Sequence, residues 1–164
     1  MLNMPKFGVK TFYVSKMGIN MAIRPSKDMT FVRLAENISE QSTCRRRQVG
    51  CFLVNQNHHV LAVGYNGVAR GMKHCLDEPC SGSECKSGEG LDLCLAIHAE
   101  QNALIRCKEP NMIYTCYTNV APCMHCLKML LNTSCQRIVF SHNYADSVRC
   151  KELWTDSGRE WVQL

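Results

Sequence analysis

Two short runs in this 164-residue chain concentrate the side chains that do chemistry. One is His98-Ala99-Glu100, the other Pro122-Cys123-Met124-His125-Cys126. Singly, neither is informative: His-x-Glu arises by chance, and Cys-x-x-Cys serves redox pairs and structural zinc half-sites alike. Together they form a coherent set. Cys123 and Cys126 stand at i and i+3, on one face of a helix. With His98 they make three metal ligands and leave a fourth position open for water, as a catalytic zinc requires. Two thiolates cancel the charge of a divalent ion, and helix N-termini favour thiolate and hydroxide. Glu100 is then free of ligand duty and suited to take a proton from water at that open position. His125 lies inside the second run and reads as a helix-surface residue.

These positions must be brought together by the elements around them. Phe31, Leu34, Ala35 and Ile38 recur at i, i+3, i+4 and i+7, which predicts an amphipathic helix from Asp28 to about Thr43. Strands are predicted at Val49 to Asn55 and Val60 to Gly64, the second running into Gly64-Tyr65-Asn66-Gly67, whose Asn-Gly pair marks a turn. A helix is expected from about His98 to Cys107, a strand from Ile113 to Thr118, and a helix from Cys123 to Leu131 with Pro122 at its start. A short strand at Arg137 to Phe140 and a last helix near Asp146 to Trp154 complete the series. Alternating helices and strands predict an α/β layered fold with a mixed sheet. Twenty-five positions separate His98 from Cys123, room for a crossover that brings both helix starts to one sheet edge. Residues 1–25 lack periodicity and read as an N-terminal extension, and 26–164 as a single domain. Within it, the Cys- and Gly-rich insertion at 71–94 is too long for an idle loop.

A hydrophobic content of 46% and a charged content of 20% are ordinary for a globular protein and exclude collagen and wholesale disorder. No apolar run approaches the ~18 residues of a membrane helix. The first residues lack the pattern of a secretory signal, so a cytoplasmic location is expected. In that reducing compartment twelve cysteines point to metal rather than to disulfides. A net charge of +5 permits an anionic small molecule or a nucleic acid as partner. A pI of about 8.6 falls short of the strongly basic footprint of a polynucleotide binder. An aromatic content of 7% likewise gives little stacking surface.

His-x-Glu followed by Pro-Cys-x-x-Cys is the signature of zinc deaminases, and the chain resembles the deoxycytidylate (dCMP) deaminases. The resemblance is carried by His98-Ala99-Glu100-Gln101-Asn102-Ala103-Leu104, the Pro-Cys-x-x-Cys run and Gly64-Tyr65-Asn66-Gly67. Cys44-Arg45-Arg46-Arg47-Gln48-Val49-Gly50, and Ser87-Gly88-Glu89 leading to Cys94, add to it; together they span roughly residues 28–155. It implies a three-layer α/β/α fold around a mixed, about five-stranded sheet. It also implies hydrolysis of dCMP to dUMP and ammonia, supplying dUMP for thymidylate synthesis. By the same resemblance His98, Cys123 and Cys126 hold zinc, Glu100 shuttles protons, Asn66 contacts the sugar, and the backbone at Ala99 meets the pyrimidine edge. A homo-oligomer, a hexamer, activated by dCTP and inhibited by dTTP with Mg2+, belongs to the same expectation. One departure is the segment Tyr117-Thr118-Asn119-Val120-Ala121, where family members often carry Thr.

A second, structural zinc on Cys44, Cys75, Cys80 and Cys94 is implied as well, with Cys85 competing for the place of Cys80 and His74 another candidate ligand. Cys51, Cys107, Cys116, Cys135 and Cys150 read as small buried hydrophobes. Arg45-Arg46-Arg47 suits either a phosphate or a solvated helix end. Arg46, Arg47, Gly67 and Arg70 are the candidates for phosphate or effector contact, while His142 and the His58–His59 pair read as ordinary polar residues. Two other readings compete: a deaminase acting on tRNA or single-stranded DNA, and a non-enzymatic zinc module. Glu100 argues against the second, since a purely structural site needs no carboxylate there.

Overall fold

A computed structural model describes residues 24–86, 88–90 and 92–164. The expected extension at 1–25 lies outside the described residues except for Arg24 and Pro25. Helix α1 (Lys27–Ser39) starts where the Ser26 hydroxyl accepts the Met29 N–H at 3.1 Å, with Asp28 in its first turn, both favourable at a helix N-terminus. It ends four residues before the predicted Thr43. The Ser39 hydroxyl turns back onto the Glu36 carbonyl at 2.6 Å, an alternative to continued helix that serine readily supplies.

Strands β1 (Gly50–Val54) and β2 (Val60–Tyr65) form an antiparallel hairpin, Gly50 opposite Tyr65. In its turn the Asn55 side-chain oxygen accepts the N–H groups of Asn57 at 3.0 Å and His59 at 2.9 Å. His58 there adopts a left-handed φ of 63° and stacks on Phe31 at 6.3 Å between ring centres. It is therefore a packing residue of the turn, not the ordinary polar residue expected. Two-residue strands β3 (Gly67–Val68) and β4 (Ala96–Ile97) pair into a small separate sheet that brackets the Cys-rich segment. Then follow α2 (Ala99–Arg106), β5 (Thr115–Val120), α3 (Met124–Leu131), β6 (Arg137–His142), α4 (Ser147–Asp156) and β7 (Glu160–Gln163).

The main sheet has the order β2-β1-β5-β6-β7, mixed as expected: β1 is antiparallel to both neighbours, and β5, β6 and β7 run parallel. All six residues of β5 are buried, as a central strand covered on both faces requires. On one face α1 packs Phe31 and Val32 against Val54, Tyr117 and Val139. On the other, Ala99, Ala103, Leu127, Leu130 and Trp154 from the remaining helices cover Cys51, Leu53, Cys116, Ile138 and Phe140. Two glycines set how closely the layers approach. A Cβ at Gly50 would lie 2.1 Å from the Ala35 carbonyl oxygen, and one at Gly64 2.2 Å from that of Ala99. A polar clamp joins α1 to the sheet. Tyr117 donates its hydroxyl to Asp28 at 2.7 Å, Arg137 donates to both Asp28 oxygens at 3.2 and 3.1 Å, and the same guanidinium reaches Glu160 at 2.7 Å.

Candidate active site

His98 and Cys123 are the N-cap residues of α2 and α3. The two helices converge where the buried central strand β5 ends, so the site stands at the carboxyl end of an interior strand and not at a sheet edge. His98 is held by its own helix, its N–H donating to the Gln101 side-chain oxygen at 2.9 Å. The Asn102 amide ties the same turn to the Tyr65 carbonyl at 2.8 Å. The His98 Nδ1 then lies 3.3 Å from the Cys123 sulfur and 3.4 Å from that of Cys126. All three donor atoms fall within 4.8 Å of one another, a convergence no other His, Cys, Asp or Glu group reaches among the described residues. One imidazole nitrogen and two thiols suit zinc in donor type and number, and leave a coordination place unfilled by protein. His125 is exposed, as the sequence suggested.

The electrostatics agree with that donor set. Cys123 is pushed down to about 3, first by the hydrogen bond from Cys126 and then by His98, against the effect of burial. Cys126 is pushed well up by the neighbouring Cys123 and by burial, while the bond to Cys123 also raises His98. A metal ion bound here would displace the thiol protons, as thiolate ligation demands. Glu100 is 3% exposed. Burial and the Cys123 charge push its carboxyl above the ordinary range, which brings it toward the range a proton carrier needs.

His98, Glu100 and Cys123 line a cavity of about 430 Å³, ample for a small-molecule ligand. Asn66 and Ala99 line it, as do Arg45, Arg46, Arg47 and Tyr144. The Arg47 guanidinium lies 5.3 Å above the centre of the Tyr144 ring. Arg46 donates to the carbonyls of Lys86 and Glu89, the second at 2.7 Å, and so straps the insertion to the rim. Gly67 and Arg70 are not part of the cavity wall. Gly67 is buried, where an added Cβ would press on the Thr43 hydroxyl at 2.9 Å, and Arg70 is exposed.

In the insertion the sulfurs of Cys75 and Cys80 are 3.8 Å apart, Cys80 also contacts Cys94, and Cys94 feels the charge of Cys44. These four do not converge as tightly as the His98 group. Cys85 lines the main cavity, as do Cys44 and Cys94, and His74 faces Asp77 at 3.9 Å. Cys51, Cys116, Cys135 and Cys150 are fully buried, and Cys107 partly so. Sequence reasoning gave no separate role to Gln101, Asn102, Asn119 or Tyr144. Gln101 and Asn102 lay within the motif run His98–Leu104, while the side-chain partners of Asn119 lie far along the chain.

Residues 25–142 match the family model of the cytidine and deoxycytidylate deaminase zinc-binding region. The chain belongs to this family. Similar members include the deoxycytidylate deaminase of Schizosaccharomyces pombe, 37% identical over 129 residues, covering 74% of this chain and 38% of the relative. That of Saccharomyces cerevisiae is 34% identical over 126 residues, covering 74% and 39%. This chain thus spans under half the length of both fungal relatives. A deoxycytidylate deaminase of a Mycobacterium phage is 32% identical over 123 residues, covering 71% of this chain and 95% of its own. The fold is also that of the dCMP deaminase of cyanophage S-TIM5, solved in complex with dCMP and dUMP: TM-score 0.68 at 24% identity, over 87% of this chain and 99% of that one.

Proposed function

We propose that this chain catalyses the zinc-dependent hydrolysis of dCMP to dUMP and ammonia. The observation that carries the reading is a buried carboxyl, Glu100, beside a His/Cys/Cys metal group on the floor of a cavity whose rim carries three arginines. His98, Cys123 and Cys126 hold the metal; when bound, zinc supplies the Lewis acidity that makes water a nucleophile near neutral pH. Glu100 accepts the proton of the attacking water, gives it to N3 of the cytosine, and carries a second proton to the amine leaving C4. The Ala99 backbone meets the pyrimidine edge and Asn66 the sugar. The arginine wall takes the 5′-phosphate, because guanidinium forks match phosphate oxygens. Arg46 is already committed to the insertion's carbonyls and is the weaker phosphate candidate.

The finer features of the reading rest on family resemblance. They are a second zinc on Cys44, Cys75, Cys80 and Cys94, activation by dCTP and inhibition by dTTP with Mg2+, a homohexamer, and a cytoplasmic role in supplying dUMP. Among the described residues no helix is long and apolar enough to cross a membrane. Ammonia release measured with dCMP, deoxycytidine, dCTP, tRNA and single-stranded DNA tests the proposal. Preference for dCMP over deoxycytidine by at least tenfold supports it. Turnover of only the polynucleotides, or of none of the five with zinc bound, refutes it.

A further inference from the structure

Two buried asparagines grip the same four residues from opposite sides. From the end of β2, the Asn66 amide donates to the Arg47 carbonyl and accepts the Val49 N–H, both at 2.8 Å. From β5, the Asn119 amide donates to the Gln48 carbonyl at 3.1 Å and accepts the Gly50 N–H at 3.0 Å. In an extended chain alternate residues turn their N–H and C=O to opposite sides. Each side-chain amide therefore offers the paired donor and acceptor that a neighbouring strand would present, one to residues 47 and 49, the other to 48 and 50. The asparagines are 7% and 8% exposed, so a lost partner here leaves a buried polar group unmet, a costly outcome.

What this clamp holds is one wall of the cavity. Arg47 and Val49 line it, and Gln48 between them does not. The far end cannot slide, because Gly50 is pressed against the backbone of α1 at Ala35. Asn119 itself is anchored: Ser141 donates its hydroxyl to the Asn119 carbonyl at 2.8 Å. Asn119 does not line the cavity, and its side chain reaches the cavity wall through its bonds to Gln48 and Gly50. The chemistry is particular to a carboxamide. An aspartate offers two acceptors, one of them facing the Gln48 carbonyl, and a threonine hydroxyl cannot span both contacts at these distances.

We propose that Asn119 is a positioning residue: with Asn66 it holds Arg47–Gly50 in one extended conformation, so that the wall receiving the sugar and anionic end of the nucleotide is formed before the ligand arrives. This rests on the proposed dCMP reading, and preorganisation of that kind acts on affinity more than on the chemical step.

The test compares the zinc-loaded wild type with Asn119→Leu, Asn119→Asp and the control Ser134→Ala. Asn119→Leu and Asn119→Asp are expected to raise the KM for dCMP about tenfold or more, with kcat within about threefold. Ser134→Ala, which removes a hydrogen bond to the Ile113 carbonyl away from the clamp, should lower the melting temperature without moving KM. An unchanged KM in both Asn119 variants, or a fall in kcat alone, overturns the proposal. Where Asn119→Leu fails to fold, Asn119→Thr, which can keep one of the two contacts, reads the same ratio. Amide hydrogen exchange separates this proposal from the dCMP reading, because it needs no turnover. In the Asn119 variants the Gly50 and Val49 amides should exchange at least tenfold faster while those of β6 hold. Unaltered exchange at Gly50 defeats the clamp whatever the substrate, and an inactive wild type with accelerated exchange defeats only the dCMP reading.

Discussion

At position 100 a carboxyl group stands almost out of water beside a thiolate, with the imidazole of His98 as the nearest compensating charge. Such a group is held there for what it does, since a glutamine of the same size avoids the desolvation cost. Glu100→Gln should therefore retain fold and metal, melt at or above the wild-type temperature, and lose about 10²–10⁴-fold in turnover, the usual share of an acid–base group. Activity above a few per cent in a zinc-replete preparation would assign the proton transfers elsewhere. This quartet was legible because metal chemistry imposes spacing: His-x-Glu and Cys-x-x-Cys each place their members on one helix end. Asn119 was not legible in the same way. Its contacts, Gln48 and Gly50, lie about seventy residues away, and nothing local marks a carboxamide as a backbone clip rather than a solvated side chain.

At the scale of elements, the helix and strand periods announced most of the architecture, and the failures have physical causes. Strands β3 and β4 have two residues each, too few to show any period. The Glu-Trp-Val-Gln strand β7 follows α4 so closely that its alternation is lost in the tail. The role of Gly64 was also hidden, being a matter of what packs above it. Gly64→Ala forces a Cβ against the carbonyl of Ala99 and the N–H of Ala103, backbone atoms that cannot rotate away. It should cost about 3 kcal/mol, the upper end for overpacking, read as a fall in the urea midpoint, and should weaken activity by displacing the start of α2.

The clamp on α1 carries a pH signature. Burial pushes the Asp28 carboxyl up, but the hydrogen bonds from Arg137 and Tyr117 outweigh it and hold the group below its ordinary value. A carboxyl with a depressed folded-state pKa stabilises at pH above its unfolded value, about 4, and loses that contribution as pH falls through the folded one. Asp28→Asn should cost about 1–2 kcal/mol at pH 7, a charged hydrogen-bond value kept modest by partial exposure. The gap to wild type should shrink below about pH 4. A gap that widens on acidification would contradict this sign.

For the molecule as a whole, the insertion between β3 and β4 matters most. It contributes a cavity wall, is strapped by Arg46, and carries three of the four cysteines proposed for a second zinc, Cys75, Cys80 and Cys94. Metal analysis of the wild type should find about two zinc ions per chain. Cys123→Ser should remove one together with activity. Cys94→Ser should remove the other and open residues 71–94 to early protease cleavage, because structural zinc binding is coupled to local folding. One ion in the wild type, indifferent to Cys94, would dismiss the second site and leave the first intact.

The strand order has a kinetic consequence. Hairpin β1–β2 and the parallel run β5-β6-β7 can each assemble from near neighbours, but the sheet is joined through β1 and β5, where Val54 meets Thr115. In the unfolded chain that meeting closes a loop of about 60 residues, at an entropic cost on the order of 3–4 kcal/mol. The insertion lies inside this loop. Ligation that gathers its cysteines early shortens the search between the two halves, whereas excising it shortens the loop outright. Both changes should therefore register first in the refolding rate of the apo and metal-loaded chains, and only secondarily in equilibrium stability.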